Sequence, residues 1–362
     1  MGWNNRRSPF VNSIAPKKIL IVRTDRIGDV VLSLPMIDLL RRTFPDARIS
    51  FLAQDYTAKL LVGYPGLDQL LLYREGVSQK RFWRILGELR LASFDTVVVA
   101  HPTFRIALLV FLAGIPIRIG TGYRWYSFLF NRRVFEHRKT AERHEAEYNL
   151  SLLRVLGCDV ALSPRPILPL QNAVAARVDE IRARHGLSGN EAIIVLHPGS
   201  GGSARDWPPE RFGELAARLS EAGFQVVMTG SRGEEHLVQN VVAASGNRAI
   251  SLAGEFSLDE LAWFLRGARL VVSNSTGPLH ITAALGVPVV AFYPPILACS
   301  SRRWGPLASD KVIFEPRAED CPRCKGGSCR GDDCMRLIAV DDVFRASIQL
   351  LSRVTNKTGQ VP

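Results

Sequence analysis

The feature that most constrains this chain is an alternation of strand and helix signals that runs twice along it. In the first half KILIVR, ARISFLA, DQLLLY and DTVVVA are short apolar runs, and the segments between them, led by DVVLSLPMIDLLRRTF, have helical period. In the second half EAIIVLHPG, FQVVMTG, AISLAG, RLVVSN and PVVAFY alternate with PERFGELAARLSEAG, EEHLVQNVVAAS, SLDELAWFLRGA and GPLHITAALG. Uniformly apolar strands separated by helices imply parallel sheets covered on both faces. The Pro-rich stretch SPRPILPLQ and the charged helix after it interrupt the pattern. The boundaries therefore fall at 1–172 for a first α/β domain and 173–338 for a second. A C-terminal helix and tail, 339–362, is expected to pack back on the first domain. Two such domains make a two-lobed molecule, with ligands at the carboxyl ends of the strands.

Three strand-to-helix junctions carry chemistry. VRTDRIGDVV (22–31) sets two carboxylates, Asp25 and Asp29, in and just beyond a tight loop between buried segments. LHPGSGGSARDWPPERF (196–212) combines Gly199, Gly201 and Gly202 with Ser200 and Ser203, and adds Arg205. Such a loop lets backbone N–H groups approach a phosphate, with a helix N-terminus behind them. It is also readable as a plain turn into a helix. VVSNSTGPLH (271–280) places Ser273, Ser275 and Thr276 before a helix opened by Gly277 and Pro278. Those hydroxyls suit a diphosphate, or simply cap the helix. His280 reads as a packed histidine. In GSRGEEHL, Glu234 or Glu235 can accept hydrogen bonds from ribose hydroxyls or serve the helix dipole.

A net charge of +12 over 362 residues points to an anionic partner: nucleic acid, a phosphorylated small molecule or a membrane surface. The first 17 residues hold no apolar core of signal-peptide length, and Arg6 stands where myristoylation wants Ser or Thr. The longest apolar run, 107–117, is too short to span a bilayer. The expectation is a cytoplasmic protein, able to rest on the inner face of a membrane.

KILIVRTDRIGDVVLSLP, LHPGSGGSARDWP and SNSTGPLHITAALGVP, in this order and spacing over roughly residues 17–350, resemble glycosyltransferase family 9, the heptosyltransferases of lipopolysaccharide core assembly. The resemblance implies the GT-B fold: two Rossmann-like domains whose parallel sheets face an interdomain cleft. It implies an acceptor on the N-terminal domain and a nucleotide sugar, ADP-heptose or a relative, on the C-terminal one. It implies inverting transfer to a lipid-linked lipopolysaccharide core. No Asp-x-Asp motif stands at a strand end and no nucleic-acid motif surrounds the cysteines, so no catalytic metal or other required cofactor and no nucleic-acid partner are expected. Asp29, the acid of the Gly-Asp pair, takes the general base role, with Asp25 the rival. Its helix N-terminus is expected to hold its pKa low. Donor contacts carry over to Ser200, Gly201, Arg205, Glu234, Ser275, Thr276 and Gly277. Two positions depart from the family, which usually has Lys where Arg205 stands and often Asp where Ser275 stands.

An acidic acceptor would be met by arginines of the first half. Arg105, Arg124 and Arg132 are the candidates, with Arg118 and Arg133 beside them. Trp125, Tyr126, Phe128 and Phe130 are placed to meet lipid headgroups. Cys321, Cys324, Cys329 and Cys334 are spaced as a structural zinc site can be, or are reduced thiols. Two other readings compete with sugar transfer: a nucleotide-sugar 2-epimerase of the same fold, and a basic zinc-containing nucleic-acid-binding protein.

Overall fold

A computed structural model describes residues 15–74, 79–161, 165–187, 192–317, 319 and 334–358. The first lobe runs β1 (Lys18–Val22), α1 (Ile27–Val31), α2 (Leu34–Thr43), β2 (Arg48–Gln54), α3 (Asp55–Ala58), β3 (Gln69–Tyr73), α4 (Gln79–Ala92), β4 (Thr96–Val99), α5 (Phe104–Leu112), β5 (Ile117–Thr121), β6 (Arg132–Val134) and α6 (Glu145–Ser151). After α7 (Ala175–Arg184) the second lobe runs β7 (Ile193–His197), α8 (Pro209–Glu221), β8 (Gln225–Met228), α9 (Glu235–Ala244), β9 (Ile250–Ser251), α10 (Leu258–Arg266), β10 (Leu270–Asn274), α11 (Gly277–Ala284), β11 (Val289–Phe292), α12 (Ser301–Trp304), β12 (Lys311–Phe314) and α13 (Val340–Thr358).

Each lobe is built on a six-stranded parallel sheet, β3-β2-β1-β4-β5-β6 and β12-β11-β10-β7-β8-β9. Counted from each lobe's first strand, both orders are 3-2-1-4-5-6. Ile21 pairs with Phe51 on one side and Val98 on the other, and all three are fully buried. That placement explains why the central strands are apolar at consecutive positions rather than alternately. In this strand order the crevices open where the winding reverses, beyond the carboxyl ends of β1 and β4 and of β7 and β10. All three junctions singled out in the sequence emerge there.

The apolar run 107–117 is divided: α5 ends at Leu112, Gly114 turns the chain at φ +74°, and β5 takes the remainder. Among the described residues no helix is long and apolar enough to cross a membrane. The C-terminal helix departs from expectation. α13 packs on α8 and along β11 and β12, with Val343, Leu350 and Leu351 joining Phe212 and Leu219 in the second lobe's core. Its apolar stripe matches the uncovered side of that sheet, so it closes the second domain instead of returning to the first.

Candidate active site

Pro35 has no N–H to donate to the turn before it, so the helix that would follow β1 breaks. α1 stops after Val31 and α2 starts with Pro35 in its first turn. The break exposes backbone that side chains then bind. Ser33 Oγ donates to the Asp29 carbonyl at 2.8 Å and accepts from Asn149 Nδ2 at 3.1 Å. Asn149 Oδ1 accepts from Arg23 Nη1 at 3.0 Å, and Arg23 Nη2 donates to the Asp29 carboxylate. This closed ring of four residues holds Asp29 by both backbone and side chain.

Arg23 is buried, and its Nε donates to Asp25 at 2.8 Å. Beyond it lies Glu145, 3.6 Å away and 1% exposed, also paired with Arg138 and with Arg303 at 3.0 Å. Burial lifts the Asp29 carboxyl to about 6, against the pull of Arg23 and with the push of Asp25 and Glu145. The expectation of a low value is thereby corrected: desolvation outweighs the dipole of a five-residue helix. Burial raises Asp25 as well. A carboxylate near 6 is ionised at neutral pH and basic enough to take a proton from an attacking hydroxyl.

α1 meets α11 of the second lobe face to face, and glycine on each side allows it. A methyl group at Gly28 would stand 2.6 Å from His280 Cδ2, and one at Gly277 would stand 2.6 Å from Ile27 Cβ. His280 is buried and pushed down to about 3, a packed neutral histidine as the sequence suggested. Beside this contact opens a cavity of about 190 Å³, lined by Asp29 and Arg26 from the first lobe and by Ser203 and Ser275–Gly277 from the second. Asp25 does not line it, and that distinguishes the two carboxylates.

Three of the donor candidates, Ser275, Thr276 and Gly277, line this cavity. Thr276 is the N-cap of α11, yet its side chain makes no capping hydrogen bond, so capping does not explain the hydroxyl. Ser200, Gly201, Arg205 and Glu234 group around the neighbouring loop. Glu234 accepts from Gly201 N at 3.3 Å and from Ser231 N and Oγ at 2.8 Å. Burial raises its carboxyl, but the Ser231 hydrogen bonds prevail and hold it below the usual range. Ser200 Oγ is buried without a hydrogen-bond partner. Arg205 Nη1 lies 3.9 Å from Cys334 Sγ.

The acceptor arginines do not form one group. Arg105 opens α5 and Arg124 follows β5, both on the carboxyl-end rim, whereas Arg132 begins the edge strand β6. Arg118 is spent on the carbonyls of Leu129 and Ile115. Of the aromatics, Trp125 and Phe128 are exposed, but Tyr126 and Phe130 are buried against α5 and β5 and cannot meet a headgroup. Cys321, Cys324 and Cys329 lie outside the described residues; Cys334 is buried in the second lobe's core.

Sequence reasoning missed two sets of residues. One is the buried cluster of Arg23, Glu145, Asn149 and Arg303. Arg23 had a signal, since a cation inside a buried strand end needs the two acids that follow it. Glu145 had none. The other is a set of contacts rather than new residues, joining the two donor loops: Asn274 accepts from Trp207 N at 2.8 Å and donates to the Pro198 carbonyl at 2.7 Å, while Ser203 Oγ, named in the sequence for another role, donates to the Ser275 carbonyl at 2.8 Å.

The sequence model of glycosyltransferase family 9 (heptosyltransferase) matches residues 82–334. The chain is 29% identical over 294 residues to lipopolysaccharide heptosyltransferase 2 of Escherichia coli strain K12, covering 77% of this chain and 83% of that protein. A family 9 glycosyl transferase structure from Veillonella parvula DSM 2008 superposes with TM-score 0.81 at 23% identity, covering 93% of this chain and 97% of the other. The structure of E. coli ADP-heptose lipopolysaccharide heptosyltransferase II gives 0.77 at 24% identity, covering 93% and 99%. The architecture is the GT-B fold of these neighbours, and the epimerase and nucleic-acid readings give way. The chain belongs to glycosyltransferase family 9, the heptosyltransferases, and is a glycosyltransferase.

Proposed function

We propose that the protein transfers a heptose from ADP-heptose to a lipid-linked lipopolysaccharide core acceptor, with inversion at the anomeric carbon and Asp29 as general base. One observation carries the reading: Asp29 of the first lobe lines the same cavity as Ser275–Gly277 of the second. A base and a diphosphate cradle on opposite walls are what a single displacement needs. Asp29 lies ahead of the family-matched span, so its role rests on this geometry and on the sequence resemblance. The acceptor hydroxyl would lose its proton to Asp29 as its oxygen attacks the sugar, and the diphosphate would leave against Thr276, Gly277 and the 199–203 loop. Arg205 and the N-terminus of α11 would meet the charge of the leaving group, with no metal ion required.

The acceptor would approach from the rim carrying Arg105 and Arg124. There Phe104 and Trp125 stack at 4.9 Å, with Trp125 73% exposed, and Phe128 three residues on is exposed as well. Exposed aromatics among arginines suit the headgroup region of an anionic membrane, which supports peripheral attachment at the cytoplasmic face. Arg132 is a more distant acceptor contact. A zinc at Cys321, Cys324, Cys329 and Cys334 would be structural. Metal analysis of chelator-free protein checks it, and a stoichiometry near zero ends that idea.

The test is product analysis. Purified protein is incubated with ADP-heptose, with and without heptose-deficient core lipopolysaccharide. Acceptor-dependent release of ADP together with a glycosidic product of inverted configuration is expected. Conversion of the nucleotide sugar without acceptor, or transfer from another nucleotide sugar only, would overturn the reading.

A further inference from the structure

Glu145 is the most enclosed acid of the site, and its two oxygens face different lobes. Oε1 faces Arg23 and Arg138 of the first lobe; Oε2 accepts from Arg303 Nε at 3.1 Å and Nη2 at 3.0 Å, both donated from α12 of the second. Arg23 in turn holds Asp25 and Asp29. An unbroken line of ion pairs therefore runs from the second lobe to the Asp29 carboxylate.

We propose that Arg303 is a positioning residue which, through Glu145 and Arg23, sets the orientation and proton affinity of Asp29 from the opposite lobe. The proposal rests on the general-base reading above. Its physical basis is the sharing of charge. Glu145 is nearly balanced by three arginines, and burial, which would raise its carboxyl, is outweighed by Arg138, Arg23 and Arg303. When the second lobe is seated, Arg303 takes up part of the Glu145 charge, and more of Arg23 is left for Asp29 and Asp25. When Arg303 is withdrawn, Glu145 competes for Arg23 with the acids on its other side. Seating of the donor lobe and readiness of the base then become one event. Two further contacts bring α12 and the following turn to the same place: His144 Nε2 with the Gly305 carbonyl at 2.8 Å and Arg302 Nη2 donating to the Glu142 carbonyl at 3.0 Å. The other ionisable groups around Asp29 are Arg26 on its own loop, His280 on α11, and His101, which stands 4.0 Å from Asp25. His280, pushed down to about 3, carries no charge near neutral pH.

The test reads the Asp29 carboxylate directly, by infrared titration of the protein minus its Asp29→Asn variant, in wild type, Arg303→Met and Glu145→Gln backgrounds. Removing the arginine should move the Asp29 midpoint up by about one pH unit, and removing the acid should move it down by a similar amount. Shifts of opposite sign are the signature, because loosened packing has no reason to reverse sign between the two. Arg303→Lys should return the midpoint most of the way. A midpoint unmoved in Arg303→Met overturns the relay, and that arm stands alone if Glu145→Gln does not fold. The base reading is judged separately, by the turnover of Asp29→Asn: a dead Asp29→Asn with an unmoved midpoint in Arg303→Met rejects the relay only.

Discussion

The two walls of the cavity are built on opposite plans. Behind the first-lobe wall lies a dense, already satisfied charge cluster: Asp29 lines the cavity, and Arg23, Asp25 and Glu145 pair up behind it, Arg23 and Glu145 buried and the two aspartates partly so. The second-lobe wall, Ser203 and Ser275 to Gly277 with the 199–202 loop beside it, carries no ionised side chain. It offers hydroxyls and backbone, with the Thr276 side chain making no cap and Ser200 Oγ without a partner. A reacting acid must be held in one geometry and one protonation state, and a network does that. A phosphate brings its own charge, so its cradle is best left with donors unspent until it arrives.

The comparison breaks first at Asp29. Asp29→Asn keeps the shape and should slow turnover by about 10²–10⁴-fold while donor affinity stays within about twofold. Full activity in a folded Asp29→Asn enzyme would turn attention to Asp25. On the other wall, Arg205→Ala or Thr276→Val should weaken ADP-heptose binding by calorimetry. For Arg205 the loss is about 1.5–3 kcal/mol, roughly 10- to 150-fold; unchanged affinity in both would move the diphosphate elsewhere.

The pH profile sharpens the contrast further. With its carboxyl at about 6, Asp29 is protonated below that pH, so kcat/KM should fall about tenfold per unit of pH on the acid side. The sign for stability is the reverse of the usual carboxylate. The folded state binds this proton more tightly than the unfolded chain, so ionising Asp29 costs stability as pH rises from about 4 to 6. Asp29→Asn should therefore melt no lower than the parent at pH 7.5, and a lower melting temperature would show that the charge stabilises the lobe. The smallest effect belongs to Lys59 and Asp259, which also bridge the lobes, at 3.3 Å. Lys59 is about half exposed, and Lys59→Met should cost under about 1 kcal/mol in chemical denaturation.

What was legible in the sequence follows from separation along the chain. Strands such as Ile19–Val22 announce themselves because both faces are buried. The candidate base and the 275–277 segment lining the cavity were legible because each sits at a strand–turn–helix junction, a local object with local spacing. Glu145 and Arg303 were not: they are 158 residues apart, and nothing in RHEAEY marks an acid that will face three arginines. Direction was equally hidden. The stripe on α13 showed that it must pack, and only the uncovered flank of the second sheet decided where. Tyr126 and Phe130 look like Trp125 and Phe128 in the sequence, but the turn between β5 and β6 sends one pair inward and the other outward.

The identical strand order of the two sheets has a consequence for symmetry. Twin folds commonly meet through the same surface on each, as a two-fold dimer does. Here the partners are unlike: α1 follows its lobe's first strand, whereas α11 follows its lobe's fourth. Gly28 and Gly277 are therefore not counterparts, and a change at one has no echo at the other. Each lobe presents a different one of its helices to the shared crevice. The two ends of the proposed reaction, proton removal and diphosphate departure, would thus be shaped independently on scaffolds that are otherwise wound alike.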